Sequence, residues 1–240
     1  MSSTLVHPSP SANSPASSPG TPLARRHRWA AAGWLAGVLA LFVFVVVTGA
    51  VMVPTEDLVD NQRVLDQLDG AAGWIWAFQT CSVAIAMLVA IFGLGLRRRL
   101  AGQTPAGSIL PEVAATGMLL VSVLTLVGGG ISTEMFHSLR NADEVDPDTV
   151  AAQLAIFNTM AWVWVGGVLT TGATAVAGLR HGAIGRKLSI FAVVMTVVVA
   201  ITQIVPFQYL AVLPVTLFLI VSGIVLQRES KPEDPATYRL

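Results

Sequence analysis

Six apolar stretches, each about as long as a membrane is thick, constrain this chain more than any motif does. They fall at about residues 29–53, 73–96, 111–132, 152–179, 188–205 and 207–226. A spanning helix needs about 20 mostly apolar residues, because the hydrocarbon core is about 30 Å thick and a helix rises about 1.5 Å per residue. The last two stretches form one run interrupted at Pro206. As a single helix that run would be nearly twice too long. Proline removes a backbone donor and disfavours helix in the residue before it, so a tight hairpin is expected. Pro214 then lies inside the sixth span, where a kink is expected. The fold class is therefore all-α, a six-helix transmembrane bundle over residues 29–227.

Composition closes off the alternatives. The chain is 54% hydrophobic and 12% charged, against about 25% charged in a soluble domain. A disordered chain is excluded by the same figures. A nucleic-acid binder is excluded because 14 basic and 14 acidic residues cancel. A single cysteine, Cys81, rules out a disulfide framework and a cysteine-ligated zinc site.

The charges cancel in sum but not in place. With a cytoplasmic amino terminus, 12 of the 14 basic residues fall inside and only Arg63 and Arg140 outside. Ten acids lie outside, while Glu112, Glu229, Glu233 and Asp234 lie inside, giving +8 within and −8 without. By the positive-inside rule both termini are expected in the cytoplasm. The preference for Arg over Lys, with abundant Ala, Val and Gly, points to a bacterial plasma membrane.

Residues 1–28 form a Ser/Pro-rich tail with no periodic apolar pattern and are expected to be disordered. Residues 228–240 form a short second cytoplasmic tail. The Arg25-Arg26-His27-Arg28 cluster precedes about 25 apolar residues, longer than the 7–15 of a signal core, so a retained span is expected. In the first outer loop Leu58, Val64, Leu65 and Leu68 recur near helical spacing among acids, which predicts a short amphipathic helix. Asp146-Pro147-Asp148 is a helix start, and Pro111-Glu112 reads as the first turn of the third helix.

Chemistry-bearing residues are few. No Asp, Glu, Lys, Arg or His falls within the six apolar cores, which weighs against proton-coupled transport. His7, His27, His137 and His181 are placed wrongly for a di-haem centre. His-Glu-x-x-His, Gly-x-Ser-x-Gly and P-loop motifs are absent. Glu134 and His137, three apart, supply half of a carboxylate–histidine metal site whose other half is missing. No metal, no cofactor and no enzymatic activity are expected.

Polar residues within the spans are amides and hydroxyls. Gln79, Asn158, Gln203 and Gln208 all fall in the outer third. They either hydrogen-bond between helices, the commoner role, or line an outward-facing pocket with Glu134 and His137 at its mouth. Gly33 and Gly37 make a Gly-x-x-x-Gly step, and Gly166, Thr170, Thr174 and Gly178 are small at every fourth position. Intramolecular helix packing is the default expectation for both, a dimer interface the lesser one. Trp29 and Trp34, with Trp74 and Trp76, fit the aromatic belts, whereas Trp162 and Trp164 are expected to pack inside the bundle.

This layout resembles an uncharacterised family of six-span bacterial integral membrane proteins, actinobacterial in type, over roughly residues 30–227. The features that carry it are the acidic helical first outer loop, the basic segment after the second span, and Gly185-Arg186-Lys187-Leu188 before the closing apolar hairpin. The resemblance implies the fold and no activity. The expected function is a non-enzymatic structural, accessory or regulatory membrane component. The alternative is a facilitator or binder of a small neutral or amphipathic solute. Expected partners are the lipid bilayer and a membrane protein or second copy, not nucleic acid.

Overall fold

A computed structural model describes residues 28–54, 56–205 and 208–229. The amino-terminal tail, Pro206 and Phe207 (on which the expected hairpin falls), the Gln208 side chain and residues 230–240 lie outside the described residues. Within them every regular element is helical. Six helices are long and apolar enough to cross a membrane: α1 Arg28–Ala50, α3 Ala72–Ala101, α4 Leu110–Arg140, α5 Pro147–His181, α6 Arg186–Ile204 and α7 Tyr209–Arg228. Between the first two spans lie a 3₁₀ turn, Asp57–Val59, and the amphipathic helix α2, Asn61–Gln67.

The helix starts follow local chemistry. Asp60 accepts from the Gln62 N–H at 3.0 Å and caps α2, and Asp146 accepts from the Asp148 N–H at 2.9 Å and caps α5. Pro111 and Glu112 occupy the first turn of α4, where proline sacrifices no bond and a carboxylate suits the helix dipole. Gly182 closes α5 with φ 66°, a left-handed position that favours glycine. At 31 residues, α4 continues past Ser132 to Arg140 and carries Glu134 and His137 on its last turns.

Pro214 corrects an expectation. It is the third residue of the α-helical stretch Val212–Arg228, and the irregularity precedes it as a 3₁₀ turn over Gln208–Ala211. The ring would press on the carbonyl four residues back, Leu210. The tighter turn lies where that clash would fall, and Pro214 sits in a first turn rather than in a mid-span kink.

The spans pack as α3 on α4, α1 on α7 and α3, and α5 on α4 and α6. Asn61 Nδ2 donates to Asp148 Oδ1 at 2.6 Å, tying the 51–71 connection to the start of α5. At the opposite end Arg97 pairs with Glu112 at 3.1 Å and Arg99 with Glu229 at 3.3 Å. The bundle thus has an acidic end and a basic end. Phe92, Leu96, Met118, Phe218 and Leu219 are fully buried in the main core. A second cluster of Val64, Leu68, Met135, Leu154 and Phe157 seats α2 over the acidic end.

Glycines set the closest crossings. A Cβ at Gly37 would lie 2.7 Å from the Thr216 carbonyl oxygen, and one at Gly223 only 2.6 Å from the Trp34 nitrogen. Between α4 and α5, a Cβ at Gly166 would lie 2.7 Å from the Gly117 oxygen, and Thr170 Oγ1 donates to the Ala114 carbonyl at 2.8 Å. Gly178 meets Ser189 of α6. Thr174 Oγ1 is buried without a partner. The small-residue steps therefore sit at crossings within the chain. Of the two deeper tryptophans, Trp164 is buried, but Trp162 is 50% exposed and does not pack inside as expected. The residues from Thr159 to Gly166 form a 3₁₀ helix, whose three residues per turn set positions two apart about 120° around the axis, so Trp162 and Trp164 point to different faces.

Candidate functional site: a cavity among irregular helices

Three spans abandon α geometry, and they do so around one cavity. In α1 the run Val43–Val47 is π-helical. Four of its five residues are valine, which pack poorly into a helix. Thr48 stabilises the wide turn by donating from both its backbone N–H and its hydroxyl to the Val43 carbonyl, the latter at 3.2 Å. In α5 the 3₁₀ segment runs for eight residues, Thr159–Gly166, twice the usual limit of 3–4. In α7 the 3₁₀ turn over Gln208–Ala211 precedes Pro214. Such interruptions mark hinges and functional sites.

The cavity they enclose has a volume of about 90 Å³ and lies towards the acidic end. α1 contributes Val43, Phe44 and Thr48, and α3 contributes Phe78, Ser82 and Ile85 at i, i+4 and i+7, one helical face. α4 adds Thr125 and Gly128; glycine at 128 leaves room for the Met160 thioether. α5 supplies Phe157, Asn158 and Trp164, and α7 supplies Tyr209. Phe78 and Phe157 meet at 4.6 Å between ring centres, tilted by 59°. Tyr209 is half exposed and stands where the cavity meets the surface.

The polar groups divide into spent and unspent. Thr125 Oγ1 donates to the Val121 carbonyl at 2.7 Å and Thr48 to Val43, so neither has a proton left to give. Ser82 is only 2% exposed, yet among the described residues its hydroxyl finds no hydrogen-bond partner, and neither does the half-buried Asn158 amide. Buried polar groups are normally paired, because an unmade bond costs about 1–3 kcal/mol. An unpaired hydroxyl and amide on one small cavity form a place to receive an oxygen or nitrogen.

The expected pocket residues are only partly brought together. Asn158 lines the cavity. Gln79 is half-buried on α3 beside the lining positions but not among them, and Gln203 belongs to α6, which contributes nothing to the wall. Gln203 Oε1 is buried without a partner, and its Nε2 reaches Thr202 Oγ1 at 3.4 Å. Glu134 and His137 are exposed near the end of α4; neither lines the cavity, and the His137 ring rests edge-on against Phe136 at 5.3 Å. The three amides therefore do not line one pocket: Asn158 does, whereas Gln79 and Gln203 are half-buried elsewhere on their helices. Ser82 and Tyr209, which polarity alone did not single out, line the cavity beside Asn158. Among the described residues no group of three or more His, Cys, Asp or Glu is placed to hold a metal ion.

Comparison with family models, with curated proteins and with solved structures returned no match.

Proposed function

We propose that this chain is a non-enzymatic, multi-pass protein of a bacterial plasma membrane that binds a small neutral or amphipathic molecule in the cavity at its acidic end. The observation that carries this reading is the unpartnered Ser82 hydroxyl, 2% exposed, facing a cavity walled by three non-α segments. The charge asymmetry between the two ends supports cytoplasmic termini and an outward-facing cavity. Among the lining residues Tyr209 is the one titratable side chain, and it is half exposed rather than enclosed, whereas general acid–base work needs such a group beside its substrate. Towards the basic end, the crossings at Gly33, Gly37 and Gly223 leave less than a methyl group's width, which favours a binder over an open path.

Thermal unfolding of the purified protein against a panel of small neutral solutes tests this. A true ligand stabilises saturably, by about 2.7 kcal/mol at a hundred times its Kd. Ala161→Leu, which fills the cavity from a half-buried lining position, should abolish the effect. Stabilisation that never saturates, or that persists in the filled variant, refutes the reading. An accessory role through contact with another membrane protein has one observation in its favour. α6 buries Leu188, Ser189, Ala192, Met195 and Val199 but turns Ile190, Val194, Val197 and Ile201 outward, a continuous apolar stripe.

A further inference from the structure

We propose that the cavity selects a single neutral ring bearing a hydroxyl or carbonyl oxygen, with Ser82 and Asn158 as the specificity-determining residues. This rests on the cavity-binding reading and names the ligand class for it. The first support is the aromatic wall. Phe44, Phe78, Phe157, Trp164 and Tyr209 make up five of the 17 lining residues, whereas aromatics are 7% of the chain. Aromatic side chains at offset or tilted angles, like the 59° of Phe78 and Phe157, favour a flat guest through edge-to-face contact.

Size is the second support. The volume of about 90 Å³ is about three times the share of one water in the liquid, and an engineered apolar cavity of about 150 Å³ takes up benzene. The cavity is smaller than that one, so a single ring is its upper limit, with part of the ring in the mouth beside the half-exposed Tyr209, and a fused pair of rings does not fit. Charge is the third. No lining side chain carries one, so an ion would lose its hydration and gain no counter-charge.

The polar pair then decides among neutral rings. Ser82 and Asn158 each offer a donor and an acceptor, whereas the hydroxyl protons of Thr48 and Thr125 are already committed. A ring oxygen satisfies groups that a methyl in the same place leaves unpaired. Sites built to bond a substrate oxygen reject the analogue lacking it for this reason.

The test uses the full chain in lipid nanodiscs with phenol, toluene and 1-hexanol, which match in non-hydrogen atoms. The readout is the Met160 methyl carbon resonance, assigned by its loss in Met160→Leu, because Met160 lines the cavity. At equal concentration in the bilayer, phenol should bind saturably and about tenfold more tightly than either analogue, the effect of one buried hydrogen bond made or missed. Ser82→Ala and Asn158→Leu should each bring phenol to the level of toluene and leave toluene unchanged. Ser82→Cys keeps the volume and weakens the donor; it should lose most of the preference, and full retention overturns the assignment to Ser82. Toluene binding as tightly as phenol, or 1-hexanol matching it, overturns the ring-and-oxygen proposal while leaving a general apolar binder intact. If none of the three moves the Met160 resonance, the cavity-binding reading falls with it.

Discussion

The α1–α7 crossing gives the sharpest quantitative test of the bundle. A Cβ added at Gly223 would sit 2.6 Å from the Trp34 nitrogen and 2.8 Å from the Ala30 carbonyl oxygen. Both are backbone atoms, so no rotamer change relieves them. Ordinary carbon contacts need about 3.5 Å or more, so the two helices must part by about 1 Å along a crossing that holds Gly33 and Gly37 as well. Overpacking of this kind costs about 1–3 kcal/mol. The same substitution also brings the helix-propensity gain of alanine over glycine, up to about 1 kcal/mol, which would mask part of the cost. Gly130 provides the matched control, because it lies exposed in mid-helix with nothing within 4 Å of its added Cβ. Gly130→Ala collects the propensity term alone. Gly223→Ala is therefore expected to be about 1–3 kcal/mol less stable than Gly130→Ala. Reversible unfolding in mixed micelles, followed by helical circular dichroism, measures both. Equal stability of the two variants would refute the close crossing, whatever their common shift from wild type.

Two buried threonines on one helix should behave oppositely. Thr170→Val removes the 2.8 Å bond to Ala114 and should cost about 0.6–1.7 kcal/mol, the range for such bonds between membrane helices. Thr174→Val removes a hydroxyl that has no partner, and unfolding should find it neutral or stabilising. Asp146→Ala deletes the cap of α5 and should cost about 1 kcal/mol, read as earlier melting together with faster amide exchange over residues 148–150. For orientation, Val59→Cys, 85% exposed at the acidic end, should react with an impermeant thiol reagent added to intact cells in a Cys81→Ser background. Gln103→Cys, in the basic-end connection, should react only after lysis, and the reverse pattern would invert the topology.

The architecture was legible because it depends on quantities a sequence states directly. Span number follows from run length, and the α5 start and the α2 cap follow from Asp146 and Asp60, whose carboxylates have a local partner two residues on. The small-residue steps were readable as packing signals, but their partners were not. Nothing in Gly33-x-x-x-Gly37 says that Thr216 and Gly223 of the last helix fill the opposing groove, since those residues are separated by most of the chain. Span ends were the weaker reading. Apolarity stopped at Ser132, whereas α4 runs to Arg140, because a helix persists through polar residues that its own backbone bonds and the α2 cluster support.

The site was harder to read for a different reason. Polarity in an apolar span is the signal a sequence offers, and it selects the amides Gln79, Asn158, Gln203 and Gln208. A cavity is defined by where side chains are missing, however, and that depends on backbone phase. A π segment and an eight-residue 3₁₀ segment each shift the phase of everything beyond them relative to an ideal helix. An i+4 projection through Thr159–Gly166 therefore assigns faces wrongly, because the 3₁₀ stretch repeats every three residues. The valine run before Thr48 was the one visible warning of a weakened helix. Ser82 gave none, being an ordinary small residue that lies one turn along α3 from Phe78 and facing α1, α4 and α5 across the gap. Its significance comes from a missing hydrogen bond, and a missing bond becomes visible only when every neighbour has been placed.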